Sequence, residues 1–117
     1  MHNYRKLRIY DVALALATEV YALSRRLPEN EEFGLRSQWR RAAVSTCLNI
    51  AEGSGASSNR EFGRFLEIAR RSLYEVVACV QLSVRLDLLD RRSCEDVSRR
   101  ADSLAAMITR FKGQLRG

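Results

Sequence analysis

A chain of 117 residues with 46% hydrophobic content can hold one modest core and is not an extended disordered protein. One proline and six glycines favour long helices over a turn-rich sheet fold, and no apolar run approaches the roughly 20 residues that span a bilayer. The net charge of +6 is almost all arginine, with Lys6 and Lys112 the only lysines, which favours acidic partners such as RNA or DNA without identifying one.

Residues 1–8 are basic and read as a loose arm or first turn. The first helix is expected from Ile9 to Arg26, because Ile9, Val12, Ala13, Leu16, Ala17, Val20, Leu23 and Leu27 recur at three- and four-residue spacings. Asp11 and Glu19 leave too short an apolar run here for a secretory signal, so a cytoplasmic location is expected. Pro28 ends the element, and Glu31 and Glu32 place negative charge before the next helix, where it is favourable. That second helix runs from Phe33 to Gly55 and ends in glycines that mark its stop.

At about 100° per residue, Gln38, Arg41, Ser45, Asn49 and Glu52 form one narrow polar stripe on the second helix. Leu35, Trp39, Ala42, Ala43, Thr46 and Ile50 make an adjoining apolar face, and Val44, Leu48 and Ala51 make a further strip beyond the polar one. A surface helix of a monomer needs one apolar stripe, so neighbours on several sides are expected. After a GSGASSN linker, Ser58 and Glu61 have capping-box spacing. Phe62, Phe65, Leu66, Ala69, Leu73, Val76, Val77, Val80 and Val84 then trace a long third helix to about Leu86, while Ile68, Ser72, Cys79 and Leu86 suggest a second contact surface. A polar turn follows, and either Ser93 or Asp90 caps a fourth helix whose stripe is Val97, Ala101, Leu104, Ala105, Ile108 and Phe111, extending toward Leu115. Arg91, Arg92, Arg99, Arg100, Arg110, Lys112 and Arg116 decorate its remaining surface. Four amphipathic helices with short connections give an all-α, antiparallel up-and-down four-helix bundle, read as a single domain over residues 1–117.

As a catalytic array the polar stripe is poor. Ser45 has no histidine base except His2 in the N-terminal arm, and Glu52 has no close acidic partner. Cys47, Cys79 and Cys94 are widely spaced without a CxxC, so they read as small buried thiols rather than zinc ligands or a disulfide scaffold. No metal or cofactor is implied, and a non-enzymatic protein is expected. Gln38, Trp39, Arg41, Ser45, Asn49 and Glu52 read as assembly residues. Arg41 and Glu52 lie about 16 Å apart along one helix, too far to pair with each other but open to partners on another helix or chain. Arg36 and Arg40 stand on another side at one-turn spacing. With Arg99 and Arg100 they are the candidate phosphate contacts, although a solvated face explains them equally well.

The segments RKLRIYDVALALATEVYALSRRLP, FGLRSQWRRAAVSTCLNIAEGSG and EFGRFLEIARRSLYE resemble the bacterial four-helix-bundle family first noted as proteins encoded by intervening sequences within 23S ribosomal RNA genes. The most specific part is SQ-x-RRAAVS-x-x-x-NIAEG, here Ser37, Gln38, Arg40 to Ser45, and Asn49 to Gly53. The resemblance implies a bundle that assembles as a ring-like homopentamer. It also implies likeness in fold to the basic accessory protein of diversity-generating retroelements, hence RNA or DNA, and a reverse transcriptase, as partners. The functional expectation is a homo-oligomeric bundle that binds nucleic acid or serves as such an accessory, with a protein-interaction module that binds no nucleic acid as the alternative. This chain departs from the family pattern at Thr46, Cys47 and Leu48, where a proline-bearing segment is usual, and at Arg71, where glycine is usual. A straighter second helix and an outward-turned Arg71 are expected.

Overall fold

The computed structural model describes residues 2–115. Four α-helices follow in order: α1 (Arg8–Ser24), α2 (Leu35–Ser54), α3 (Asn59–Arg85) and α4 (Arg91–Gln114). Each packs on its sequence neighbour, and α1 also packs on α4, so the helices close into an up-and-down bundle 46 × 23 × 19 Å in extent. The apolar stripes explain this closure. Leu16 and Val20 of α1, Trp39 and Ile50 of α2, Phe62, Leu66, Leu73 and Val76 of α3, and Val97, Leu104 and Ile108 of α4 are all buried in one core. Each such side chain contributes roughly 1.5–3 kcal/mol by leaving water. Arg116, expected on the α4 surface, lies outside the described residues.

The helix ends show how the connections are set. Glu31 bends back so that its Oε1 accepts from Leu35 N at 2.9 Å, which caps the start of α2 where Gly34 offers no side chain. At the start of α3, Ser58 Oγ accepts from Glu61 N at 3.1 Å, but the Glu61 carboxylate turns to Arg64 instead of completing the reciprocal capping box. Asp90, not Ser93, occupies the cap position of α4, and the Ser93 hydroxyl donates back to the Asp90 carbonyl at 2.9 Å. The α3 C-terminus is closed by a Schellman motif. Asp87 N donates to Val84 O at 3.0 Å and Leu88 N to Ser83 O at 2.9 Å, with Asp87 in the left-handed region at φ 57°.

Of the two expectations for the N-terminal segment, a loose arm or a first turn, the structure shows the turn. A 3-10 turn, Tyr4–Lys6, leads back to the bundle, and His2 N donates to Ser54 O at 2.9 Å. The His2 ring lies 5.0 Å from the Phe62 ring and 6.2 Å from the Phe111 ring, which anchors the segment over the ends of α2, α3 and α4. α2 continues without interruption through Thr46, Cys47 and Leu48, and Arg71 turns outward to meet Glu67 at 3.5 Å. The three cysteines are buried and unpaired, and burial pushes the Cys47 and Cys79 thiols up to about 11.

Candidate functional site

The polar stripe of α2 divides into an inward and an outward part. Asn49 Nδ2 donates to Ser45 O at 2.9 Å and to Ser45 Oγ at 3.1 Å. Ser45 Oγ lies 2.9 Å from Ser72 Oγ, and Ser72 in turn donates to Ile68 O at 3.1 Å. Because Ser72 spends its hydrogen on Ile68, the consistent direction is Asn49 to Ser45 to Ser72 to Ile68. This relay ties α2 to α3 with half-buried polar groups that would be costly to leave unpaired. Gln38, Arg41 and Glu52 are exposed, and none has a hydrogen-bond or ion-pair partner among the described residues.

The remaining expected site residues have fixed positions. Trp39 is fully buried, and its indole N–H finds no acceptor among the described residues. Arg36 Nε donates to Ser24 O at 2.9 Å and its Nη2 to Leu27 O. Arg40 Nε donates to Ser24 Oγ at 2.8 Å, with its guanidinium 4.6 Å from the Tyr21 ring centroid. The two arginines therefore hold the end of α1, whose last turn has no basic residue of its own to meet its free carbonyls. The sequence reading missed this clasp, for which one-turn spacing of two arginines across a short connection is the available signal. Arg99 pairs with Asp96 on the surface of α4, and Arg100 Nε lies 2.5 Å from Glu19 Oε1, which links α4 to α1.

Chemically the stripe brings together no nucleophile and base. His2 binds at the far end of α2, and Ser45 lies nine residues before Ser54, roughly 13 Å along the helix. No group of three or more His, Cys, Asp or Glu among the described residues could hold a metal ion. The strongest carboxylate perturbation lies elsewhere. Glu67 accepts from Arg70 at 3.0 and 2.8 Å and from Lys112 at 3.4 Å, and these contacts hold its carboxyl down to about 2. Glu67 thereby ties α3 to α4.

Two exposed faces remain. On α3 Ile68 and Leu82 fall within about 40° of one another on the side turned toward α2, and Leu86, at the C-cap one turn beyond Leu82, continues that line. On α2, Leu48 falls within about 40° of Arg41 and Glu52. The relay between Ser45 and Ser72 places these two sets side by side, so Leu48, Ile68, Leu82 and Leu86, 42–57% exposed, share the outer α2–α3 face. Across the bundle, Arg92, Arg99 and Arg110 fall within about 20° along the outside of α4, and Arg8 of α1 shares a shallow hollow with Arg110. Arg8, Arg92 and Arg110 have no acidic partner among the described residues.

A family model described as 23S rRNA-intervening sequence protein matches residues 5–110. The fold is similar to the crystal structure of a protein with unknown function from the S23 ribosomal protein family of Bacteroides thetaiotaomicron VPI-5482. The two chains are 24% identical over 89% of this chain and 97% of that one, with a TM-score of 0.82. No curated protein matches the chain. Among the described residues no helix is long and apolar enough to cross a membrane.

Proposed function

The chain belongs to the 23S rRNA-intervening sequence protein family, and on that premise we propose that it is a non-enzymatic bundle that associates with further copies of itself through the outer face of α2 and α3. The outer face itself carries this reading. Leu48, Ile68, Leu82 and Leu86 stand half in water there, beside an arginine and a glutamate that have no partner among the described residues. Covering apolar area returns roughly 25 cal/mol per Å². Arg41 and Glu52, about 16 Å apart along α2, cannot satisfy each other. In a ring each contact is head-to-tail, so Arg41 of one copy can meet Glu52 of the next beside the exposed leucines. A closed ring, pentameric as the resemblance implies, is the arrangement proposed.

Sedimentation velocity tests the assembly. A discrete oligomer is expected at micromolar concentration, and Leu48→Glu is expected to leave a helical monomer. Arg41→Glu and Glu52→Arg should each weaken association, and the double swap should restore part of it. A native chain that sediments as a monomer at tens of micromolar refutes the reading.

The α4 ridge favours a second activity, the binding of RNA or DNA. Among the described residues Arg8, Arg92 and Arg110 have no acidic partner and Arg99 has only an exposed one, and the ridge faces away from the proposed assembly surface. Ring closure would multiply this charge, and a reverse transcriptase is the protein partner that such a ring would serve. Binding should weaken steeply with salt, and Arg92→Glu with Arg110→Glu should reduce the slope of log affinity against log salt. Binding that is absent at low salt, or indifferent to these changes, counts against it.

A further inference from the structure

The clasp residues Arg36 and Arg40 do more than close the α1–α2 corner. They line an open hollow of about 730 Å³ with Arg25, Glu29, Glu32 and Phe33. We infer that this hollow takes one nucleotide unit, its phosphate on the arginines and its base on the ring of Phe33, a subsite that deepens the nucleic-acid reading.

Three features of the corner converge on that ligand. First, with Arg41 given to the assembly contact, three guanidiniums still face two carboxylates, so the lining keeps an excess of positive charge. Arg25 has no partner among the described residues. Arg40 spends only its Nε on a hydrogen bond and keeps both terminal nitrogens for a ligand, and Arg36 keeps Nη1. Second, these forks are already oriented. Carbonyls of Ser24, Leu27 and Pro28 hold Arg36, and the Ser24 hydroxyl with the Tyr21 ring holds Arg40, so little side-chain entropy remains to be lost on binding. Third, Phe33 is 89% exposed, the most exposed large apolar side chain among the described residues, and it lies on this rim. A free aromatic ring beside planar cations matches a base joined to a phosphate, whereas a bare carboxylate or inorganic phosphate leaves the ring unused. Glu29 and Glu32 oppose the phosphate end and can accept from amino and hydroxyl groups of the base and sugar.

The same chemistry arrives either as a free nucleotide or as one residue of a single strand, and the test separates them. The full-length native chain is titrated into a fluorescently labelled eight-nucleotide single strand at low salt, with unlabelled nucleoside monophosphate and inorganic phosphate as competitors. Phe33→Ala and Arg25→Glu alter exposed side chains that contact nothing the fold requires, and circular dichroism checks that both fold. Each is expected to weaken strand binding roughly ten- to hundred-fold. Monophosphate should compete far better than inorganic phosphate. Direct titration of the monophosphate supports a free-nucleotide source if it binds as tightly as the strand, and a single-strand source if the strand binds much more tightly.

Strand binding that survives Phe33→Ala and Arg25→Glu but falls with Arg92→Glu and Arg110→Glu overturns the hollow and leaves the ridge standing. Equal competition by inorganic phosphate overturns the role of the base. No binding of strand or monophosphate at low salt overturns the hollow and the nucleic-acid reading together.

Discussion

Replacement of Gly53 by alanine should destabilise this protein, although it places a better helix former inside a helix. An interior glycine costs a helix about 1 kcal/mol relative to alanine, so propensity alone predicts a gain. A Cβ at Gly53, however, would stand 2.6 Å from Phe65 Cβ and 2.9 Å from Phe62 Cδ1, well inside the roughly 3.5–4.0 Å of carbon contact. Phe65 Cβ is fixed to its backbone and cannot swing aside, so α2 and α3 must part where Phe62 is sealed into the core. Overpacking of this kind costs about 1–3 kcal/mol, which cancels the propensity gain and leaves a net loss of up to about 2 kcal/mol. Gly63 supplies the control. There a Cβ would meet only Lys112 Cε at 3.8 Å and Cγ at 3.9 Å, so the same substitution should stabilise by about 0.5–1 kcal/mol. The two melting temperatures should move in opposite directions by several degrees. Far-UV circular dichroism melts and urea titrations at one fixed protein concentration measure this, since association makes stability concentration-dependent. Equal stabilisation by Gly53→Ala and Gly63→Ala would refute the close-contact reasoning.

Asp87→Gly should raise stability by about 1 kcal/mol in urea titration, because Asp87 holds the left-handed corner at φ 57° where glycine carries no Cβ penalty. Glu67 gives a pH signature: its folded pKa of about 2 lies below its ordinary 4.5, so its contribution is complete above that ordinary value and is lost as pH falls through about 2. Its side chain is 26% exposed, so solvent screening reduces this to about 1 kcal/mol. Glu67→Gln should therefore be less stable than the native chain at pH 7 and close to it near pH 2. Cys47, Cys79 and Cys94 should resist a thiol reagent at neutral pH in the folded protein and react together on unfolding, because their thiols are buried and shifted up.

Much of this fold was legible because helical period and cap chemistry are local. The long α3 stripe from Phe62 to Val80 follows from three- and four-residue spacing, and Ser58 marks its start. What escaped depends on meetings between distant residues. The glycines ending α2 read as a stop, yet Gly53 lies inside the helix and Gly55 has φ −89°, an ordinary conformation. Gly53 is needed because Phe65 passes close by, which no local pattern reveals. The basic N-terminal segment read as either a loose arm or a first turn because its anchors, Asn59, Phe62 and Phe111, lie far along the chain. Arg36 and Arg40 read as outward phosphate candidates, since a wheel gives direction but not the carbonyl ends of α1 that wait beside them.

The α2 signature sorts by what each residue does inside one chain. Arg40 holds the end of α1, Ala42 and Ala43 let neighbouring helices approach, Ser45 and Asn49 carry the relay to α3, Ile50 fills the core and Gly53 admits Phe65. Gln38, Arg41 and Glu52 satisfy nothing within the described chain, and Leu48, beside Arg41 and Glu52, spends its apolar surface on water. A helix whose buried side is already complete gains no further stability from a charged pair beside an exposed leucine. That combination gains its energy only when another surface removes the water, which is why the outward residues of α2 are the ones to test for assembly and the inward ones for folding.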